Sequence, residues 1–143
     1  GDLWAAGSAL GEGEVTAPRW LDRGAVYTPR LKLCLSEVEY LRVARALGNK
    51  SPNEWCRHPA GAATHTWVHD SGSHACIVCL GEAVQKSDGI AIAAVLAHEA
   101  VHVKQALCSW IGEHPPGDEF EAYTVERVTE RLMREYARRI SRT

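Results

Sequence analysis

Residues 88–112 constrain this chain more than any other stretch, because almost everything in them specifies one helix. Asp88 can accept the first free backbone N–H groups as an N-cap. Ala and Leu dominate the body, and both have high helix propensity. Gly112 stands where a left-handed terminating residue is wanted. Inside lies His98-Glu99-Ala100-Val101-His102. The i, i+4 spacing puts both imidazoles on one face, one turn apart, where both can reach a single metal ion. Glu99 lies about 100° round the axis from His98, where its carboxylate can act on a water without being a ligand. With 7 histidines in 143 residues, this motif arises by chance in roughly one chain in thirty of this composition. Residues 90–101 are nearly all apolar, which predicts a buried helix. Two histidines and a glutamate buried there are costly to desolvate unless something pairs with them, and a metal would do so.

The length of 143 residues fits a single domain, and 45% hydrophobic residues can supply a core. We expect an arm over residues 1–14, rich in Gly and Ala, and one domain over residues 15–143. A net charge of −2 gives no ground for non-specific nucleic-acid binding. The longest apolar run, residues 90–97, is broken at once by His-Glu, so no membrane span is expected. Gly1-Asp2-Leu3-Trp4 has no basic, apolar leader character, which predicts a cytoplasmic, reduced protein. The cysteine count of five argues against a complete disulfide framework.

Along the chain, Trp20 and Leu21 are expected to tuck onto the domain. Leu31, Leu33 and Leu35 alternate as in a short strand. Ser36-Glu37-Val38-Glu39 is a capping box opening a helix, whose inner stripe is Val38, Leu41, Val43, Ala44, Ala46 and Leu47. Residues 50–63 have no clear period and read as a loop. Residues 64–80 read as a β-hairpin turning at Asp70-Ser71-Gly72-Ser73. Cys76-x-x-Cys79 would put its two sulfurs on opposite faces of a strand, so structural cysteines are expected rather than a metal or redox pair. Beyond Pro115-Pro116-Gly117, Asp118 and Glu121 suggest a second capping box. The helix it opens has an inner stripe of Ala122, Val125, Thr129, Leu132, Met133, Tyr136 and Ile140. Its outer face mixes arginines with Glu126, Glu130 and Glu135, with Glu130–Arg134 and Glu135–Arg139 as i, i+4 pairs. Alternating signs mark a solvated face, not a nucleic-acid surface.

A catalytic zinc needs three protein ligands and an open position. His98 and His102 are two of them. The link to the next helix is short, so that helix must run back past the first, and its opening turn carries Glu119 and Glu121. His-Glu-Ala-Val-His on one helix, with Glu119-Phe120-Glu121-Ala122-Tyr123 opening the next, resembles a small gluzincin-type zinc metallopeptidase. It is most similar to short proteins of this kind encoded by phages and prophages. The resemblance covers about the last sixty residues, and the preceding hairpin fits the layout in which an edge strand precedes the metal helix.

The resemblance implies an α+β fold: a small zincin-like domain with a short hairpin or sheet packed on a buried metal helix, followed by a long C-terminal helix. It implies Zn2+ held by His98, His102 and a glutamate of the second helix. One alignment selects Glu119, with Tyr123 beside the histidines; the other selects Glu121. Glu119 is preferred, because Glu121 has a use in the capping box and Glu119 shares a helix face with Tyr123 and Glu126. The expected activity is hydrolysis of a peptide or protein substrate, with Glu99 as general base. Zinc would lower the pKa of a water from about 15.7 to near 7. The group stabilising the oxyanion is sought among Tyr123, His114, His69 and His74, and His74–Leu80 is expected to offer backbone pairing to the substrate. Two other readings stand beside this: a zinc-binding phage structural or regulatory protein with little proteolytic activity, and an interaction module using residues 125–142.

Overall fold

His74–Leu80 is an almost continuous apolar run, and such runs belong to strands covered on both faces. In the computed structural model, which describes residues 21, 29–56, 61–69 and 71–142, it is the middle strand of a three-stranded sheet. In chain order the elements are β1 (Arg30–Cys34), α1 (Glu37–Ala46), β2 (Ala62–Val68), β3 (His74–Leu80), α2 (Glu82–Gln85), α3 (Gly89–Ile111) and α4 (Asp118–Ile140). The architecture is mixed α+β, as expected. β1 runs parallel to β3, with Cys34 opposite Cys79. β2 runs antiparallel to it, with Thr64 opposite Val78. The arm expected over residues 1–14, and Trp20, lie outside the described residues. Leu21 does pack against the core, and its N–H donates to the Leu31 carbonyl at 2.8 Å.

Strand alternation splits β3 between two cores. Cys76, Val78 and Leu80 join Leu31 and Leu33 under α3 and α4, where Leu96, Ala100, Val103 and Leu132 complete the cluster. Ala75, Ile77 and Cys79 face the other way, onto Tyr40, Val43 and Leu47 of α1 and onto Cys56. The expected strand placed hydrophobic residues on one face only. β1 is instead buried on both, and even Lys32 is 7% exposed.

Three expectations about helix faces are corrected. In α1 the inner residues are Tyr40, Val43, Ala44 and Leu47, while Val38 and Leu41 are 67% and 38% exposed; Tyr40 makes the wider apolar side the one that packs. α3 is not buried all round. Its buried positions Ile92, Leu96, Ala100, Val103 and Leu107 form one stripe, and Ile90 is 84% exposed. By length and mean hydropathy α3 could cross a membrane, but its inner stripe is the core contact with the sheet and α4. In α4, Leu132 is fully buried and Val125 and Tyr136 pack on the same core. That helix therefore does not present the apolar stripe an interaction module would need.

Helix starts and charge pairs also differ. Ser36 caps α1 as expected, its Oγ accepting from the Glu39 N–H at 3.2 Å. α4 instead has Gly117 as its N-cap, with no side-chain cap bond. Glu121 leaves the expected capping box because its carboxylate accepts from Lys104 Nζ at 2.8 Å. Lys104 is only 9% exposed, and a buried ammonium needs a charged partner more than a helix end needs a cap. Glu135, expected outside, is 3% exposed and pairs with Arg138. Arg139 is thereby free to reach across to Glu39, donating two bonds at 2.8 and 2.9 Å. That pair ties the end of α4 to the start of α1.

Glu39 carries a testable consequence. Burial alone would raise its pKa, but the bonds from Arg139 and the Leu35 N–H, with the charges of Arg139 and Lys32, outweigh it and hold the value below the ordinary 4.5. A depressed folded-state pKa adds stability above the unfolded value, and that stability is lost as pH falls through the folded one. Glu39→Gln is therefore expected to lower stability near neutral pH and to flatten its dependence as pH falls below the ordinary 4.5. Urea unfolding followed across that window measures this; parallel curves for both proteins would contradict it.

Candidate metal and catalytic site

Helix periodicity builds the first part of this site. His98 and His102 lie one turn apart on the exposed side of α3, with ring centroids 5.0 Å apart. Both line a cavity of about 1,030 Å³. The histidines are thus not buried as expected: they project from the side of α3 away from its core stripe. Gln105, one turn further, holds His102 at Nδ1 with a 2.9 Å contact to its Oε1. An amide oxygen is an acceptor, so Nδ1 bears the proton and Nε2 keeps its lone pair for a cation.

Glu99 turns about 100° from His98 and is only 4% exposed. A carboxylate so enclosed requires donors. Thr64 Oγ1 supplies one, at 2.5 Å from Glu99 Oε2. Sequence reading missed Thr64, and no local signal would have found it. The bond exists because α3 crosses beneath β2 at the register where Thr64 stands opposite Val78.

The strand order corrects a further expectation. β3, proposed to pair with a substrate, has β1 on one side and β2 on the other, so its backbone groups are already used. Among the described residues β1 and β2 are the outer strands, and the cavity runs along β2. The composition did carry a signal: Thr64-His65-Thr66-Trp67 is half polar, whereas His74–Leu80 is nearly all apolar.

Glu119 and Tyr123 do not line the cavity. Both are exposed on α4, Tyr123 at 64%. Among the described residues no third imidazole, thiol or carboxylate completes a ligand set with the two histidines. The Lys104–Glu121 contact lies about 200° round α3 from His102, and Glu119 is as far round α4 from Glu121. His114, His69 and His74 also stand away from the cavity lining; His74 packs at a tilt against Trp110, with centroids 4.3 Å apart. The aromatic residues that do line it are Tyr40, His65 and Trp67.

Cys76 and Cys79 lie in opposite cores. Burial pushes the Cys76 thiol up to about 12. Cys79 is raised by its hydrogen bond with Cys34, then by burial. Thiols held protonated in apolar surroundings are poor nucleophiles and poor ligands.

Two imidazoles one turn apart are two of the three protein ligands that a catalytic zinc takes, and among the described residues no third stands with them. Comparison with known protein families, with curated proteins and with solved structures finds no match to this chain.

Proposed function

We propose that this protein is a zinc-dependent peptide hydrolase of the small gluzincin type. The observation that supports the reading best is Glu99, held by Thr64 at 2.5 Å, beside two exposed histidines and the outer strand β2 in one cavity. His98 and His102 would hold the ion; Glu119, the third ligand the resemblance implies, stands outside the cavity and would have to be brought round by a turn of the start of α4. When bound, zinc supplies Lewis acidity and a more acidic water. The outer edge of β2 aligns an extended peptide through its own N–H and C=O groups. Glu99 takes a proton from the attacking water and delivers it to the departing amine nitrogen. Thr64 keeps one carboxylate oxygen fixed, so the other is oriented for that transfer.

Glu119 is preferred to Glu121 on energetic grounds. Drawing Glu121 to a metal would leave Lys104, with its side chain 11% exposed, buried without its partner. Purified wild type is expected to bind one zinc ion, measured by mass spectrometry and competitive chelation. Glu119→Ala should weaken that affinity by at least about 100-fold, more than the loss typical of outer partners. Glu121→Ala should keep zinc and lower the melting temperature. Full affinity in Glu119→Ala would overturn the ligand choice, and no zinc binding by wild type would overturn the metalloenzyme.

A further inference from the structure

The cavity does not stop at the metal helix. It wraps round the outer edge of β2, and its lining comes from both faces of that strand. On one face Thr64 meets Glu99. On the other, His65 stacks on Tyr40 with centroids 4.6 Å apart, and Trp67 packs against the core shared with α1. Ala44, Leu47 and Ile77 complete this second lobe. A peptide added to β2 must place successive side chains on opposite faces. If one side chain points toward α3, its neighbours point into this lobe.

The lobe's chemistry limits what fits. Tyr40 Oη donates to the Asn53 carbonyl at 2.9 Å. His65 Nε2 is 2.9 Å from the Trp55 carbonyl and is its donor. Tyr40 Oη and His65 Nε2 are therefore spent on the loop that forms the far wall; Trp67 Nε1 is buried without a partner among the described residues, and the rest of the floor offers ring faces and aliphatic carbon. Polar groups, among them Ser51 and Glu54, line the cavity at that loop. A charged side chain entering the lobe would lose water and find no countercharge on the floor; a bulky apolar or aromatic one loses only its apolar hydration.

We infer that the lobe between β2 and α1 is a specificity site that takes a bulky apolar or aromatic side chain of an extended peptide, at positions alternating with those facing α3. This deepens the hydrolase reading and rests on it for the cleavage arm of the test.

The test uses full-length zinc-loaded protein. Binding is read by fluorescence anisotropy on Glu99→Gln, with a labelled ten-residue Gly/Ser peptide and the same peptide carrying one central Phe. Phe should tighten binding by about tenfold or more, as burying its side chain implies. Ala44→Leu narrows the lobe from within, and Ser51→Trp obstructs it from an exposed loop position where folding is not at risk. Each should erase most of the Phe advantage and leave zinc stoichiometry unchanged. Sites cut by wild type in a denatured protein mixture, mapped by mass spectrometry, should carry bulky apolar residues at a fixed odd or even spacing from the bond. Equal binding of the two peptides, or a Phe advantage surviving both substitutions, overturns the lobe. Cleavage without the spacing preference overturns the lobe and leaves the hydrolase. Lobe-dependent binding without cleavage overturns the hydrolase and leaves the lobe.

Discussion

Glu99→Gln is expected to reduce peptide hydrolysis by about 10²- to 10⁴-fold, the range for removing a general base, while zinc content stays at the wild-type level. Gln is nearly isosteric and can still accept from Thr64, so the cavity should survive; what it loses is the capacity to take a proton from water. The measurement is release of new amino termini from a denatured protein mixture, with metal content checked on the same samples. Thr64→Val tests the mechanism one step further out. It keeps the shape and removes the hydroxyl that donates at 2.5 Å, so kcat should fall about tenfold with KM little changed. Thr64→Ser should restore it. Equal cleavage by wild type and Glu99→Gln would show that any activity in the sample is not this protein's.

The second large effect is on stability. Leu132 is completely buried and stands where α4 meets the sheet-side core of Leu33, Val78, Leu96 and Val103. Leu132→Ala should cost about 2–5 kcal/mol, because the lost transfer free energy adds to a cavity that strands and helices from four elements cannot collapse to fill. For a chain of this size that is a fall in Tm on the order of 10 °C, measured by calorimetry. Ile90→Ala is the control: at 84% exposure, truncating Ile90 should change stability by less than about 0.5 kcal/mol. A similar loss at both positions would contradict the assigned core.

The elements were legible in the sequence wherever their determinants are local. Asp88 and Gly112 bound α3 as read, the Asp88 carboxylate accepting from Ala91 N–H at 2.8 Å and Gly112 adopting φ 75°. Ser36 opens α1 for the same reason. Illegibility began where two local preferences competed with a distant partner. Asp118 and Glu121 have capping-box spacing, but Lys104 draws Glu121 away. Glu135 and Arg139 have ion-pair spacing, but Arg139 finds Glu39 one hundred residues earlier. The short helix α2 was not foreseen either. Four residues carry too little periodicity to register, and Gln85 steadies it by donating to the carbonyls of Leu35 and Leu80, at 2.8 and 2.9 Å.

What the sequence determined by itself is the relation among His98, Glu99 and His102. Their placement follows from 3.6 residues per turn and holds in any fold that keeps the helix. What only the tertiary structure decided is their surroundings. Strand order put β3 in the middle of the described sheet and β2 at its outside. The crossing of α3 beneath it brought Thr64 to Glu99, and packing against α4 committed Glu121 to Lys104. A helix repeat is written into consecutive residues, whereas the identity of the group facing it is set by which apolar faces bury each other, and no spacing along the chain records that.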